Sequence, residues 1–373
     1  MDTDKIIEEK KKIQTSLLDF LENETDKELH FQNLTKLLNE NKNKRKEVYE
    51  FKEILYLINK IANNHHRLPN FNSEIIQIID FLKQDIKENF VNSEILNIFQ
   101  DNKLILLFLI TNEILTINSN IADKMSDYFH FFYPELSTFN EEIKYDPPEN
   151  FESLRSAGEN DSYICKLIRN DSIDDFVKYI TQTNFGLSSQ IPPSYFETNP
   201  FLLKHSKETT LIEYSAFCGA TQIFNFLKNQ RVELKPSLWL YAIHSNNYDL
   251  IHLLEELGVV PDDKTHKRCL REALKCFHNE IANYIKDRLL DEKVKEGLGE
   301  KKFRDNLIDY CFHYYNLTFL PEKFDHSFNL YYYCLYNYFS LFKLLDDKKD
   351  AQILKERIIQ KMIVFFLSNF KTN

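Results

Sequence analysis

The chain has 373 residues, a formal net charge of −10 and a hydrophobic share of 43%. That length suffices for two domains or one elongated one, and the acidic balance argues against a broad nucleic-acid footprint, which needs a basic face. With only 6 Gly and 10 Pro, a fold built on tight β-turns is disfavoured, and no G-x-G-x-x-G or Walker-type run exists to cradle a phosphate.

The first 135 residues read as successive helices. Asp4 can cap a helix with Ile7, Ile13, Leu17 and Leu21 on one face. Leu34, Leu37 and Leu38 mark a second, and Val48, Phe51, Ile54, Leu55, Ile58 and Ile61 form a 3.6-residue stripe in a third. Ser73 and Ser93 precede further helices with an acidic residue in the first turn. The run LILLFLI, Leu104–Ile110, is the longest apolar stretch and is too short to cross a bilayer. The N-terminus, MDTDKIIEEKKK, is charged where a signal peptide is apolar. The basic string at Lys42–Lys46 reads as a solvated loop.

Residues 136–160 carry Pro147, Pro148 and Gly158 and read as a connector, with Tyr145 and Phe151 available to pin it. From residue 161 to about 350 the chain repeats itself. Phe176, Ile223, Leu250 and Ile281 are equivalent anchors in the second helix of successive two-helix units. Eight residues before them stand Ile168, Ser215, Ala242 and Ala273, and eleven before them Cys165, Ile212, Trp239 and Leu270. A small residue lets the first helix approach the second, and a wide apolar stripe on the second helix needs neighbours on both sides, so such units must stack. Anchor spacings of 27 (223 to 250) and 31 (250 to 281) residues lie near a 33-residue ankyrin period, while 47 (176 to 223) marks an insertion. A further unit is expected around Leu341, the string LIDYCFHYYNLTFL may be read in more than one register, and residues 351–373 are expected to form a C-terminal capping helix.

The string TLIEYSAFCGATQIFNFL resembles the ankyrin pattern at Thr210, Ile212, Ser215, Ala216, Gly219, Ile223, Phe224, Phe226 and Leu227. Leu211 and Glu213 replace the usual Pro and His, and Asn246 and Phe277 occupy the glycine column later. The strings ENDSYICKLIRNDSIDDFVKYI and SLWLYAIHSNNYDLIHLLEE are similar to a divergent ankyrin domain of unknown function that is expanded in some unicellular eukaryotes. The resemblance covers about residues 75–345 and implies an all-α fold: a helical N-terminal region followed by an irregular ankyrin-like solenoid.

Chemistry-bearing residues are few. Cys276–His278 and Cys311–His313 repeat the string CFH, two Cys and two His in all, but C-x-H is not a usual zinc spacing. His65 and His66 read as loop residues, since adjacent histidines rarely converge on one ion. Cys165, Cys218, Cys269, Cys276, Cys311 and Cys334 show no disulfide spacing. Asp174 and Asp175 are explained by a helix N-terminus. Trp239, the single Trp, stands in an apolar column and is expected in the core.

The expected function is protein binding as an adaptor or scaffold in the cytoplasm, without catalysis, cofactor, metal, nucleic acid or membrane insertion. The partner segment is expected to be basic, given the acidic chain. The groove-facing candidates are Lys207, Glu213, Lys235, His244, Asn247, His266 and Lys275, of which Lys235 and His244 are expected to tolerate alanine. The alternatives are an enzyme or regulatory subunit with its site before residue 136, and a self-associating structural protein.

Overall fold

The computed structural model describes residues 3–44, 48–140, 143–205, 208–290, 300–321 and 332–341. Lys207, Arg45 and Lys46 of the basic string and the expected capping helix at 351–373 lie outside them, while Lys42–Lys44 of that string are helical where a loop was expected.

The described residues are all-α, without a β-sheet; a single isolated bridge joins Gln190 and Thr210. In chain order the helices are α1 (Thr3–Glu22), α2 (Lys27–Lys44), α3 (Val48–Asn64), α4 (Phe71–Asn89), α5 (Asn92–Phe99) and α6 (Lys103–Thr111). Next come α7 (Ser119–Lys124), α8 (Tyr133–Leu136) and α9 (Phe151–Ala157). Then follow α10 (Tyr163–Arg169), α11 (Ile173–Thr183), α12 (Pro200–Lys204), α13 (Leu211–Cys218), α14 (Thr221–Asn229), α15 (Leu238–His244), α16 (Tyr248–Glu256), α17 (Lys267–Lys275) and α18 (Asn279–Tyr284), which runs on into a π turn at Ile285–Leu289. α19 (Glu300–Tyr314) follows, and residues 332–335 and 339–341 are also helical. Two compact units result, one within Met1–Ile58 and Leu298–Asn373, the other Asn59–Gly297. The segments 1–135 and 161–350 each contribute to both.

In the first unit α1 packs on α2 and buries Ile6, Ile7, Ile13, Leu17, Phe20 and Leu21, the helical stripe expected from the sequence. Its polar core is built around Gln14, which is fully buried. The Gln14 amide donates to Asn316 Oδ1 (2.9 Å) and Thr318 Oγ1 (3.0 Å), and its carbonyl accepts from the Leu317 (2.8 Å) and Thr318 (3.3 Å) backbone N–H groups. Glu53 is likewise buried, between Lys10 Nζ at 2.6 Å and the Ser340 N–H and hydroxyl at 2.7 Å each.

In the second unit α10–α11, α13–α14, α15–α16 and α17–α18 form helix pairs, and the first helices pack in chain order: α10 on α13, α13 on α15, α15 on α17. The close-approach column is small and sealed at Ser215, Ala242 and Ala273, each 0% exposed. Trp239 is in the core as expected, and its Nε1–H donates to Val259 O at 2.6 Å.

Each pair turns at a left-handed residue: Asp171 (φ 47°), Gly219 (φ 68°), Asn246 (φ 52°) and Phe277 (φ 64°). The backbone N–H of that residue donates three residues back, to Ile168 O, Ala216 O, Ile243 O and Leu274 O respectively. This is the helix-ending turn in which a left-handed residue satisfies carbonyls the helix leaves open. It also corrects the register of the first helix pair by one residue: Ile168 corresponds to Ala216, not Ser215, and Phe176 to Phe224, Ile251 and Ala282. Asp171 gains a second role, because its carboxylate accepts from the Gln222 and Ile223 N–H groups at 3.0 Å each and caps α14, whose own N-cap is Ala220. In the first compact unit Tyr315 (φ 62°) makes the same turn, its N–H donating to Phe312 O, and Asn337 (φ 64°) is also left-handed. The Tyr315 turn ends the helix within LIDYCFHYYNLTFL, and Leu341 is fully buried.

The connector is held by rings: Tyr145 contacts His130, Tyr133, Phe151 and Tyr195. Gly158, at φ 66°, has Leu104 Cδ1 only 2.7 Å from where a Cβ would stand, so a side chain there would be strained by the backbone and would have to displace the end of Leu104.

Candidate functional site

The second unit buries an unusual density of imidazole. α3 ends at Asn64, and the His65 N–H still closes a helical bond to Ile61 O (2.9 Å), so His65 and His66 follow directly from a rigid helix end. His278 is the N-cap residue of α18, set in place by the left-handed turn at Phe277. His65 and His278 are 2% and 3% exposed, and His66 is half-buried. His65 and His66 do lie in the loop after α3, as read from the sequence, but that loop and the α17–α18 turn carry all three rings inward instead of into solvent.

The backbone assigns two of the tautomers. His65 Nδ1 lies 2.9 Å from Cys276 O, and His278 Nδ1 lies 2.8 Å from Ile243 O. A carbonyl only accepts, so each Nδ1 carries a proton, and in the neutral form of each ring the lone pair resides on Nε2. His66 Nδ1 stands 3.1 Å from His278 Nε2. One ring nitrogen from each of the three lies within 4.8 Å of the other two. Burial pushes His66 down to about 3 and His278 well below its ordinary value, with the neighbouring imidazoles adding to both. These two rings are neutral at physiological pH, the form in which an imidazole offers a lone pair.

A second cluster adjoins it. His244 Nε2 (2.8 Å) and Lys275 Nζ (2.7 Å) meet the same oxygen of Glu272, and Cys276 Sγ lies 3.5 Å from His244 Nδ1 and 3.7 Å from Nε2. Glu272 is held below the carboxylate range by these partners, against its burial. Cys, His and Glu together suggest a nucleophile, base and orienter. The geometry speaks against it. A sulfur nearly equidistant from both ring nitrogens is not aligned with either lone pair, and burial drives the Cys276 thiol well up. The position a cation would take beside Glu272 is filled by the Lys275 ammonium.

The other thiols are also buried or half-buried, and burial raises those of Cys165 and Cys334 to about 12 and about 11. Cys276 and His278 belong to the second unit, Cys311 and the exposed His313 to the first. The CFH string thus does not define the histidine cluster; His278 joins His65 and His66.

Two of the cavities in this unit carry polar side chains of interest. One of ≈ 390 Å³ is bordered by His66, Arg67, Arg169, Glu197, Tyr214 and His244. Its arginines are engaged, Arg67 with Gly158 O and Thr198 and, at 3.6 Å, with Glu197; Arg169 with Asn160 O, Tyr214 and Glu159. The other, ≈ 320 Å³, is bordered by Asp101, Lys103, Tyr128, His130 and Tyr195. Lys103 donates to Glu197 O (2.7 Å) and Tyr195 O (3.2 Å) beneath the Tyr128 and Phe131 rings, and burial brings it down to about 8.

The groove candidates scatter. Glu213 is buried and closes a capping box with Thr210, accepting its backbone N–H at 2.8 Å. The T-x-x-E spacing is a known signature of that role. His244 is buried in the cluster above, so the expectation that it tolerates alanine is corrected. Asn247 caps α16 through the Leu250 N–H (3.1 Å), His266 meets the Trp239 ring edge-on, and Lys275 is tied to Glu272. Lys235 is exposed. No protein-family model, no curated protein and no solved structure matches the chain.

Proposed function

We propose that the helix pairs of residues 163–290 act as a protein-binding scaffold of ankyrin-like type. The observation that supports this is the packing of successive first helices in chain order, each pair turned by a left-handed residue. Stacked units of this kind present a row of loops and helix faces suited to an extended partner held by many modest contacts. The loop after α16 carries the exposed Leu257 and Val260 (43% and 55%) next to Asp262 and Asp263, an apolar and acidic surface that suits a partner with basic and apolar side chains. The test is proximity labelling with the full chain, followed by affinity measurements on a recovered partner. Val260→Glu should weaken binding without changing the melting temperature, and binding should weaken as salt rises. A partner indifferent to both would remove this reading. Lys275→Glu is unsuitable, because it would set a carboxylate beside Glu272.

A ligand site in the helices before residue 136 is a second reading, and the cavity around Lys103 and His130 favours it. A thermal-shift screen of small metabolites separates the two, since ligands of the native state raise the melting temperature.

A further inference from the structure

We infer that His65, His66 and His278 form a tris-imidazole site for one zinc ion, its fourth position left for water or an added donor. The distances fit. Zinc–imidazole bonds of about 2.0–2.1 Å in tetrahedral geometry place ligand nitrogens about 3.3–3.4 Å apart. His66 Nδ1 and His278 Nε2 are already 3.1 Å apart, and all three donor atoms lie within 4.8 Å of one another. Closing the set requires side-chain adjustments of about an ångström, without refolding of either helix end.

The surrounding groups are those a metal site needs. Metal-bound imidazoles donate their second ring N–H to a carbonyl or carboxylate, which fixes tautomer and orientation. His65 does so to Cys276 O and His278 to Ile243 O. His66 would bind through Nδ1 after moving its proton to Nε2. Without metal, the same nitrogen donates to His278 Nε2. His66 borders the ≈ 390 Å³ cavity, which gives an ion a way in. The adjacent Arg67 has its charge offset by Glu197. Three neutral nitrogen donors select zinc and its transition-metal neighbours over magnesium or calcium, which prefer oxygen. The ion would tie the end of α3 to the α17–α18 turn, which stand 212 residues apart at His66 and His278. It goes beyond the scaffold reading and stands or falls apart from it.

The test uses the untagged full chain, stripped with a chelator and dialysed. Zinc chloride titrated calorimetrically should bind at one ion per chain and raise the melting temperature, while magnesium does neither. Cobalt(II) should give the visible bands of a tetrahedral nitrogen site. His66→Gln should weaken zinc binding at least about 100-fold, the upper range for loss of even an outer-shell partner. Its metal-free melting temperature should stay near that of the metal-free parent, because a Gln amide can still donate to His278. His252→Gln, an exposed histidine of the same unit, should bind zinc like the parent. If His278→Gln fails to fold, His66→Gln still decides the matter. Absence of stoichiometric zinc binding, or parent-like binding by His66→Gln, overturns the inference.

Discussion

The two compact units solve one problem with different chemistry. Each must join segments that are distant in sequence, and each does so with buried polar groups. The first uses Gln14, whose amide reaches residues 316–318, and the ion pair of Lys10 with Glu53, which reaches Ser340. The second uses imidazoles: His65 to Cys276, His66 to His278, and His278 in turn to Ile243. An amide does not titrate in the physiological pH range and is a poor zinc ligand. An imidazole exchanges a proton near neutrality and is the commonest metal ligand. The difference therefore predicts that one unit is inert toward acid and zinc at its Gln14 tie, while the other responds to both.

The largest effect that sharpens this comparison is in the first unit. Glu53→Ala leaves the Lys10 ammonium buried without its carboxylate and should destabilise by about 3–5 kcal/mol. Denaturant unfolding followed by circular dichroism measures it. Trp239, the only Trp, lies in the second unit, so its fluorescence reports that unit separately. An unchanged midpoint by circular dichroism would mean that Glu53 does not hold its unit together.

Next come the packed columns of the helix pairs. Leu250→Ala or Leu254→Ala, each at a fully buried site, should cost about 2–5 kcal/mol by Trp239 fluorescence. Exposed Lys235→Ala should stay within about 0.5 kcal/mol. Equal small effects would break the assignment of these positions to the core.

Acid should act on the second unit. An unfolded histidine takes up a proton near 6.5, whereas folded His66 does so only at about 3, and burial also lowers His278 and His244. The unfolded chain thus binds more protons between these values, and stability falls as pH drops through that window. In chelator-treated protein, going from pH 6.5 to 5 should remove up to about 2 kcal/mol per fully shifted histidine. Melting followed by Trp239 fluorescence at several pH values tests it, and a flat profile would contradict the neutral buried rings.

The smallest effect runs the other way. Arg231 is exposed and closes α14 at φ 62°. Arg231→Gly should stabilise by about 0.5–1 kcal/mol, because glycine enters the left-handed region without the Cβ penalty. Phe277 has the same backbone but is buried, so Phe277→Gly gives up packing and should not stabilise.

Much of the helical content and the core columns was legible from the sequence, because apolar spacing reports which face of a helix is buried. Leu17, Ile58, Trp239 and Leu250 are in the core as their spacing implies. The register of the first pair was not legible to the residue. The left-handed turns at Gly219, Asn246 and Phe277 fell in one column of the sequence, although at Phe277 tertiary packing holds a backbone that the residue type does not favour, while the turn at Asp171 was missed with the register of the first pair. Glu213 carried its signal in T-x-x-E and was a cap, not a surface residue.

The sequence by itself determined the all-helical class and the apolar columns, because periodicity is local and burial follows from it. Only the tertiary structure decided where the polar groups went. His244 and His278 stand at helix ends that look exposed in one unit, and the next helix or the end of α3 covers them. His65 and His66 meet His278 across 212 and more residues, and no spacing rule connects residues whose proximity is set by how helices stack.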